Sequence, residues 1–544
     1  MLNHTSRVAR FLLVVAVAST LVLGAYGTKP ALPAPAASPP APVSGGTLTV
    51  AFIALATHID VNSVNISTVN ELGHYFYETL YDRDGDGKVK GLLVKEDQVS
   101  PDGLTVTWKL QPGVRFHDGS PFNAAAVKWN FDRKVAKRQP LFDLLPFKSV
   151  DVVDDQTVKA TLTRPAPNFR SILVTKTFSM YSPAFQQRVG DDSLRQQASG
   201  TGPFMVTEFR PNEIVRMKKN PNYWQKGLPY LDEIVFRVVP DINTRATMLE
   251  AGDADMALAL SIPDLDRLKN KRGLKVQGAL GSQQYYVTIN NRKPPLNDVR
   301  VRWALNHAVD KEGIIKTAFL GTAKMATAVY INSTVDGYVP AGTYPYDPEK
   351  ARKLLDEAGF PMGPGGIRQR DGRPFSLELI TRKGGTPGDF ETAELVQGML
   401  RAVGIDARLT VLESATFIPR VTLPPDRATY DLVNLAVGTF TGDAEYTMLT
   451  FYHSNSAAPR YFNRAYYSNP VVDGLIEESL KATTNRGRNK IYYQQIIKQV
   501  YRDAPIIMLF DVTQQIAMKD TIHGVYLESA SNNWPAKYAW KEKR

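Results

Sequence analysis

Residues 375–411, FSLELITRKGGTPGDFETAELVQGMLRAVGIDARLTV, change their apolar period twice. Phe375–Ile380 is a short run of β-formers, Glu391–Val403 carries apolar residues at helical spacing and stops at Gly404, and Ile405–Val411 returns to a strand pattern. Strand, helix and strand in that order make a βαβ unit, in which the helix carries the chain back across the sheet so that the two strands run parallel. The chain is therefore expected to be an α/β protein.

The flanking sequence extends this reading. Asp347-Pro348-Glu349-Lys350 offers an N-cap, a proline at the first helical position and a Glu349–Lys353 pair one turn apart, with Gly359 as the stop. Tyr430–Val437 reads as another buried strand, and Asn485–Tyr501 as a periodic helix leading into the strand Pro505–Phe510. The N-terminal half is richer in strands. Thr47–Ile53 is a continuous apolar run, Leu104–Gln111 alternates apolar and polar residues, 150–153 and 158–162 are joined through Asp154-Asp155 as a hairpin, and Phe204–Phe209 follows a glycine-rich turn. No internal repeat is visible.

The first residues have a separate purpose. Arg7 and Arg10 precede the apolar or small run 11–23 and the small residues Gly24, Ala25 and Gly27, the pattern of a secretory signal peptide at 1–27. The run is too short for a comfortable membrane span, and an uncleaved anchor is the alternative. A Pro/Ala-rich spacer at 28–44 follows. The remaining chain is expected to be an exported, soluble protein.

The 544 residues suggest roughly three to four domains, and 43% apolar with 22% charged side chains fit an ordinary globular protein. The absence of cysteine excludes disulfides, thiolate metal sites, cysteine nucleophiles and cysteine-linked lipid anchors. The net charge of +11 is spread over scattered clusters with no nucleic-acid motif, so no nucleic-acid partner is expected. Asp82-x-Asp84-x-Asp86-Gly87 spells half of an EF-hand, but Leu93 stands where its bidentate glutamate belongs. The seven histidines show no metal-ligand spacing, and neither a nucleophile elbow nor a phosphate loop occurs. No catalytic residue, metal or cofactor is assigned. Binding is the expected activity, with an exported hydrolase as the less favoured alternative.

Several strings taken together resemble one family. They are Gly45-Gly46-Thr47-Leu48, Tyr77-Glu78-Thr79-Leu80, Ser100-Pro101-Asp102-Gly103, the run 113–122 (GVRFHDGSPF), Gly200-Thr201-Gly202-Pro203-Phe204, 297–305 (NDVRVRWAL) and 346–359 (YDPEKARKLLDEAG). In this order they resemble the bacterial extracellular solute-binding proteins of family 5, the dipeptide- and oligopeptide-binding components of ABC importers. The resemblance implies a type II periplasmic-binding-protein fold of the cluster C kind, two lobes with a hinge plus an inserted domain. It divides the chain into lobe I (45–80, 196–285 and 501–544), inserted domain II (81–195) and lobe III (286–500), with crossings near Tyr285–Asn290 and Tyr501–Phe510. It further implies a periplasmic monomer that captures a peptide or peptide-like solute and delivers it to the transmembrane subunits of an ABC permease. A non-peptide solute, such as an opine, a sugar, an amino-acid conjugate or a metal chelate, is the alternative ligand.

The same resemblance suggests ligand-binding residues. Phe440-Thr441-Gly442-Asp443 matches the family's Trp-Thr-Gly-Asp-like string, so Asp443 is expected to hold a ligand ammonium group, a natural partner for a carboxylate in a dry cleft. Phe440 in place of Trp, and Ala444-Glu445-Tyr446 after the aspartate, depart from the peptide binders. Arg382 stands near the position of a carboxylate-pairing arginine, with a solvated loop cation as its other reading. Tyr285, Tyr286, Phe440, Tyr446 and Trp534 are expected to line the cleft. Ala25 stands where a lipid-bearing cysteine would fit, which points to a released rather than a lipid-anchored protein.

Overall fold

The three segments of 375–411 form the unit their periodicity calls for. In the structure, a computed structural model, Ser376–Lys383 and Asp406–Glu413 pair in parallel from Ser376 opposite Asp406 to Lys383 opposite Glu413. The helix Asp389–Ala402 crosses between them, burying Ala393, Val396 and Leu400. Gly404 stops the helix at φ +90°, a conformation that a side chain rarely adopts. Each buried leucine in this layer contributes about 1.5–3 kcal/mol of transfer free energy. The structure describes residues 41–543 apart from 54–57, 64–66, 138–143, 384 and 529–533. The expected signal segment 1–27 and most of the spacer 28–44 lie outside the described residues.

The unit belongs to an eleven-stranded mixed sheet. Leu432–Gly438 runs parallel to Ser376–Lys383 and antiparallel to the long strand Leu274–Ile289, which in turn pairs antiparallel with Ile506–Lys519. On the other side of this pair lie Met256–Ala257 and Thr47–Phe52, then Glu233–Val238, Ile214–Lys219 and Phe204–Arg210. The two long strands thus join a half built from 376–438 to a half built from 47–52 and 204–257. Their ladder slips between Leu280 and Gln284, opposite Asp511–Thr513. Such a bulge loosens the ladder and bends the strands, so each half packs its own core. Leu48, Phe204, Phe236 and Trp534 fill one, and Val287, Leu379, Val396 and Leu432 another.

A separate four-stranded antiparallel sheet, in the order Val94–Val99, Thr105–Leu110, Thr157–Leu162, Phe147–Asp154, accounts for the alternating run at 104–111 and the hairpin through Asp154. Trp108, fully buried, stacks on Phe131 of the covering helix Ala124–Ala136. Two of the quoted strings meet where this region joins the large sheet. The buried Glu78 carboxylate accepts from Thr201 Oγ1 (2.8 Å), Tyr223 Oη (2.7 Å) and Trp224 Nε1 (2.9 Å). A Cβ at Gly200 would sit 2.1 Å from the Phe76 carbonyl oxygen, so only glycine permits that approach.

Of three local features, the first is the polar turn that the missing glutamate implies and the other two meet different surroundings. The Asp82–Gly87 string is a polar turn whose Asp84 accepts from Lys88 N and pairs with Lys90 at 2.6 Å. The helix Pro348–Glu357 has its Asp347 cap, but Lys353 pairs with Glu357 and Glu349 with Arg352 rather than with each other. The helix expected over 485–501 is interrupted by a π turn at Asn489–Tyr493 before continuing as Gln494–Asp503.

Candidate ligand-binding cleft

The two halves of the sheet leave a groove between them whose floor is the slipped part of the long-strand pair. Gln283 and Gln514, from either strand at the slip, line both of its inner cavities. The first cavity, about 330 Å³, is walled on one side by the helix Ser67–Phe76, where the three-residue spacing of Glu71 and His74 puts both on one face. Lys176 closes the same side, while Thr439, Phe440, Phe462 and Arg464 form the opposite wall. The second, about 220 Å³, shares Glu71 and is largely apolar, with Phe52, Leu260, Phe319, Pro387, Val512 and Trp534. The third, about 380 Å³, shares Thr386 and Pro387 with the second and includes Asp241, Arg245, Arg382 and Asp389. A polar end, an apolar waist and a charged outer end therefore follow one another along the groove.

The polar end holds charges in a low-dielectric setting. The Trp534 indole N–H donates to Glu71 Oε1 at 3.2 Å, yet burial pushes the Glu71 carboxyl up to about 7. Burial, reinforced by Lys176 and Lys537, holds His74 well below its ordinary value, which keeps it neutral. The Lys176 ammonium is lowered by burial, against the pull of Asp82, Glu528 and Glu78. Arg464 is 6% exposed, its guanidinium lies 5.4 Å from the centre of the Phe462 ring, and its Nε and Nη1 donate to nothing among the described residues. Among the described residues no group of three or more His, Asp or Glu is placed to hold a metal.

The expected site residues divide. Phe440 lines the first cavity and Trp534 the second. Arg382 lines the third, but its Nε already donates to Asp389 Oδ2 at 2.9 Å and its guanidinium lies over Phe417. Asp443 is buried and lines none of the three cavities. Its Oδ1 accepts from Glu445 N (2.9 Å) and Asn168 Nδ2 (3.0 Å), capping the short helix Ala444–Thr447. Burial first, then the nearby Glu445, pushes its carboxyl up to about 7. Thr441 and Gly442 are tied by their carbonyls, to Arg83 Nη2 and Asp336 N.

Tyr285, Tyr286 and Tyr446, expected in the lining, are packed in the cores instead. Tyr285 sits against Phe319 and Phe510 with its hydroxyl donating to the Pro387 carbonyl at 2.7 Å. Tyr286 meets Tyr330 edge to face, and Tyr446 lies among Phe440, Phe451 and Phe462. The strand 274–289 is buried on both faces from Tyr285 onward, so alternation sends consecutive tyrosines into two different cores. The sequence reading missed Glu71, His74, Lys176, Gln283, Phe462, Arg464 and Gln514. A cation set among aromatics in 461–467 (YFNRAYY) was the available hint for Arg464.

The profile of the family described as bacterial extracellular solute-binding proteins, family 5 Middle, matches residues 88–459. The chain is 33% identical over 477 residues to a glutathione-binding protein, GsiB, of Pectobacterium atrosepticum, covering 87% of this chain and 90% of that one. It is 32% identical to the protein of that name from Salmonella typhi, covering 83% and 86%. Among solved structures, NikA from Brucella suis in complex with Fe(III)-EDTA superposes with a TM-score of 0.81 at 26% identity over 91% of this chain and 100% of that one. The periplasmic binding protein DppA from Helicobacter pylori, in complex with the peptide STSA, superposes with a TM-score of 0.79 at 24% identity, covering 92% and 99%. The type II periplasmic-binding-protein fold implied by the sequence is the fold of these structures.

Proposed function

Because the chain belongs to the bacterial extracellular solute-binding proteins of family 5, we propose that it captures a small peptide or peptide-like solute in the groove and delivers it to the transmembrane subunits of an ABC importer in the periplasm. The observation that carries this reading is the groove itself, walled by both halves of the sheet and floored by Gln283 and Gln514 where the long strands slip. Its polar end presents a guest with charged partners, and its waist with apolar surface, the combination that orients a small amphipathic ligand. The relatives' names, glutathione-binding and peptide-bound, favour the same ligand class.

In this reading the halves are lobe I (45–80, 196–285 and 501–544) and lobe III (286–500), with domain II (81–195) inserted, and they close about the slip as a monomer. No covalent chemistry is involved. Asp443 takes a ligand ammonium group when closure or a side-chain turn brings its second oxygen to the groove, and Arg382 borders the outer end. A non-peptide organic anion is the second reading, favoured by Lys176 and Arg464 facing, among the described residues, a single acid in the first cavity.

The test is native mass spectrometry of protein purified without refolding, followed by thermal shift with glutathione and with di- to hexapeptide mixtures. A trapped or added peptide that raises the melting temperature in a saturable, one-to-one manner is the expected result. Turnover of those peptides, or no shift with any of them, rejects peptide capture.

A further inference from the structure

We propose that Arg464 is the counter-charge for an anionic group of the ligand, a carboxylate, seated in the 330 Å³ cavity that Phe440 and Phe462 help to line. This names the ligand's chemistry and its direction in the groove, and it rests on the reading of the protein as a solute receptor.

The other buried arginines of the described residues find acceptors within the protein. Arg83 donates to the carbonyls of Gly87 and Thr441, Arg245 to those of Leu258, Val239, Pro240 and Ala259, and Arg302 to those of Asp503, Leu296 and Asn297. Arg368 meets Asp356 and the Val403 carbonyl, and Arg488 meets Glu445. Each of these guanidinium groups is neutralised or solvated by the protein itself. Arg488 still leaves its Nε and Nη2 without an acceptor, but its charge is answered by Glu445, whereas Arg464, whose Nε and Nη1 are shut off from solvent without an acceptor, has no ion-pair partner among the described residues. A buried charge left this way is strongly destabilising unless something else supplies the opposite charge.

The surroundings identify what that is. Among the described residues the first cavity is lined by two cations, Arg464 and Lys176, and by one acid, Glu71, whose carboxyl is raised to about 7, while His74 is neutral. An entering group therefore gains from negative charge and loses from positive charge. Phe462 lies under the guanidinium and Phe440 lines the same cavity, and the planar guanidinium fork is matched best by a planar carboxylate. The third cavity offers no such demand, because Arg382 already has Asp389. The anionic end of the ligand thus points to Arg464 and its less polar part runs through the waist toward Trp534 and Phe319.

The experiment compares wild type with Arg464→Met and Arg464→Lys. Ligands are glutathione and di- and tripeptides, each paired with derivatives in which one carboxylate at a time is replaced by a primary amide. Calorimetry on wild type is expected to show one carboxylate whose amidation weakens binding about 100-fold. Arg464→Met should bring acid and amide to the same affinity, with Arg464→Lys between. An acid preference equally strong in Arg464→Met overturns the assignment while leaving peptide capture intact. Should no peptide bind wild type, peptide capture fails and the solute that copurifies decides: an anion kept by wild type and lost by Arg464→Met supports the inference, and one kept by both overturns it. The ligand-free melting temperature gives an independent reading. Arg464→Met should melt at the same temperature as wild type or higher, and a fall of several degrees would show that the guanidinium serves the fold.

Discussion

Arg464 and Arg488 are 6% and 0% exposed, yet they face opposite surroundings. Arg488 Nη1 donates to Glu445, which Arg164 also approaches at 3.3 Å, and the helix bearing Glu445 is capped by Asp443, whose other partner is Asn168. This cluster stitches the segment 164–168 to the segment 441–445 through charges that answer one another. Arg464 instead looks into a cavity from a bed of aromatic rings. A charge in a low-dielectric interior is tolerated when its counter-charge is at hand. Arg488 finds it inside the protein, and Arg464 is left to find it in a guest, so burial alone does not distinguish a structural charge from one reserved for recognition.

The largest effect should come from the paired side. Glu445→Gln leaves Arg488 buried beside a neutral amide, and the loss of stability is expected to be about 3–5 kcal/mol, measured by denaturant unfolding of the ligand-free protein. A loss under about 1 kcal/mol would mean that water or a rearranged side chain neutralises Arg488 as well, and the contrast with Arg464 would collapse.

The next effect concerns Asp443, which belongs to the cluster by geometry and to the ligand by resemblance. Its carboxyl is raised from 3.8 to about 7 in the folded protein. The raised value means that this group's stability contribution is full below about pH 4 and is lost as pH rises toward 7. Ammonium binding has the opposite dependence, because the ligand requires the ionised form. Affinity for an amine ligand should therefore be full above pH 7 and fall about 100-fold between pH 8 and pH 5, while its N-acetylated form shows no such slope. Calorimetry across that range checks it. A flat profile for the amine would leave Asp443 as the cap of Ala444–Thr447 and move the ammonium site elsewhere.

The legibility of these features in the sequence follows from how local their causes are. The βαβ unit was readable because strand period, helix period and Gly404 all act within 375–413. The long strands were not readable at full length, because Leu274–Ile289 runs from half-buried positions into positions buried on both faces and shows no single period. Tyr285 and Tyr286 looked like lining residues on the strength of a crossing segment, and two-sided burial sends them into cores. Phe440 was found through the Thr-Gly-Asp string beside it. Arg464 was not, since a lone arginine in a loop reads as a solvated cation, and only packing among 330, 446, 451 and 462 brings its neighbourhood under cover.

The smallest effect decides whether Arg464 has a concealed partner. Among the described residues Glu71 is the one acid lining the first cavity, and its carboxyl is raised from 4.5 to about 7. If it were the counter-charge of Arg464, ionisation would be favoured and the value would be depressed. With burial as the dominant cause, ionised Glu71 is a burden that appears as pH rises from about 4.5 through 7. Glu71→Gln keeps an acceptor for the Trp534 indole, so the ligand-free variant should equal wild type at pH 4.5 and exceed it by about 1 kcal/mol at pH 8, after allowance for solvent reaching the cavity. Chemical unfolding at the two pH values measures the difference. A variant less stable than wild type at pH 8 would show that Glu71 and Arg464 neutralise each other, and the arginine would then join Arg488 as a charge the protein answers for itself.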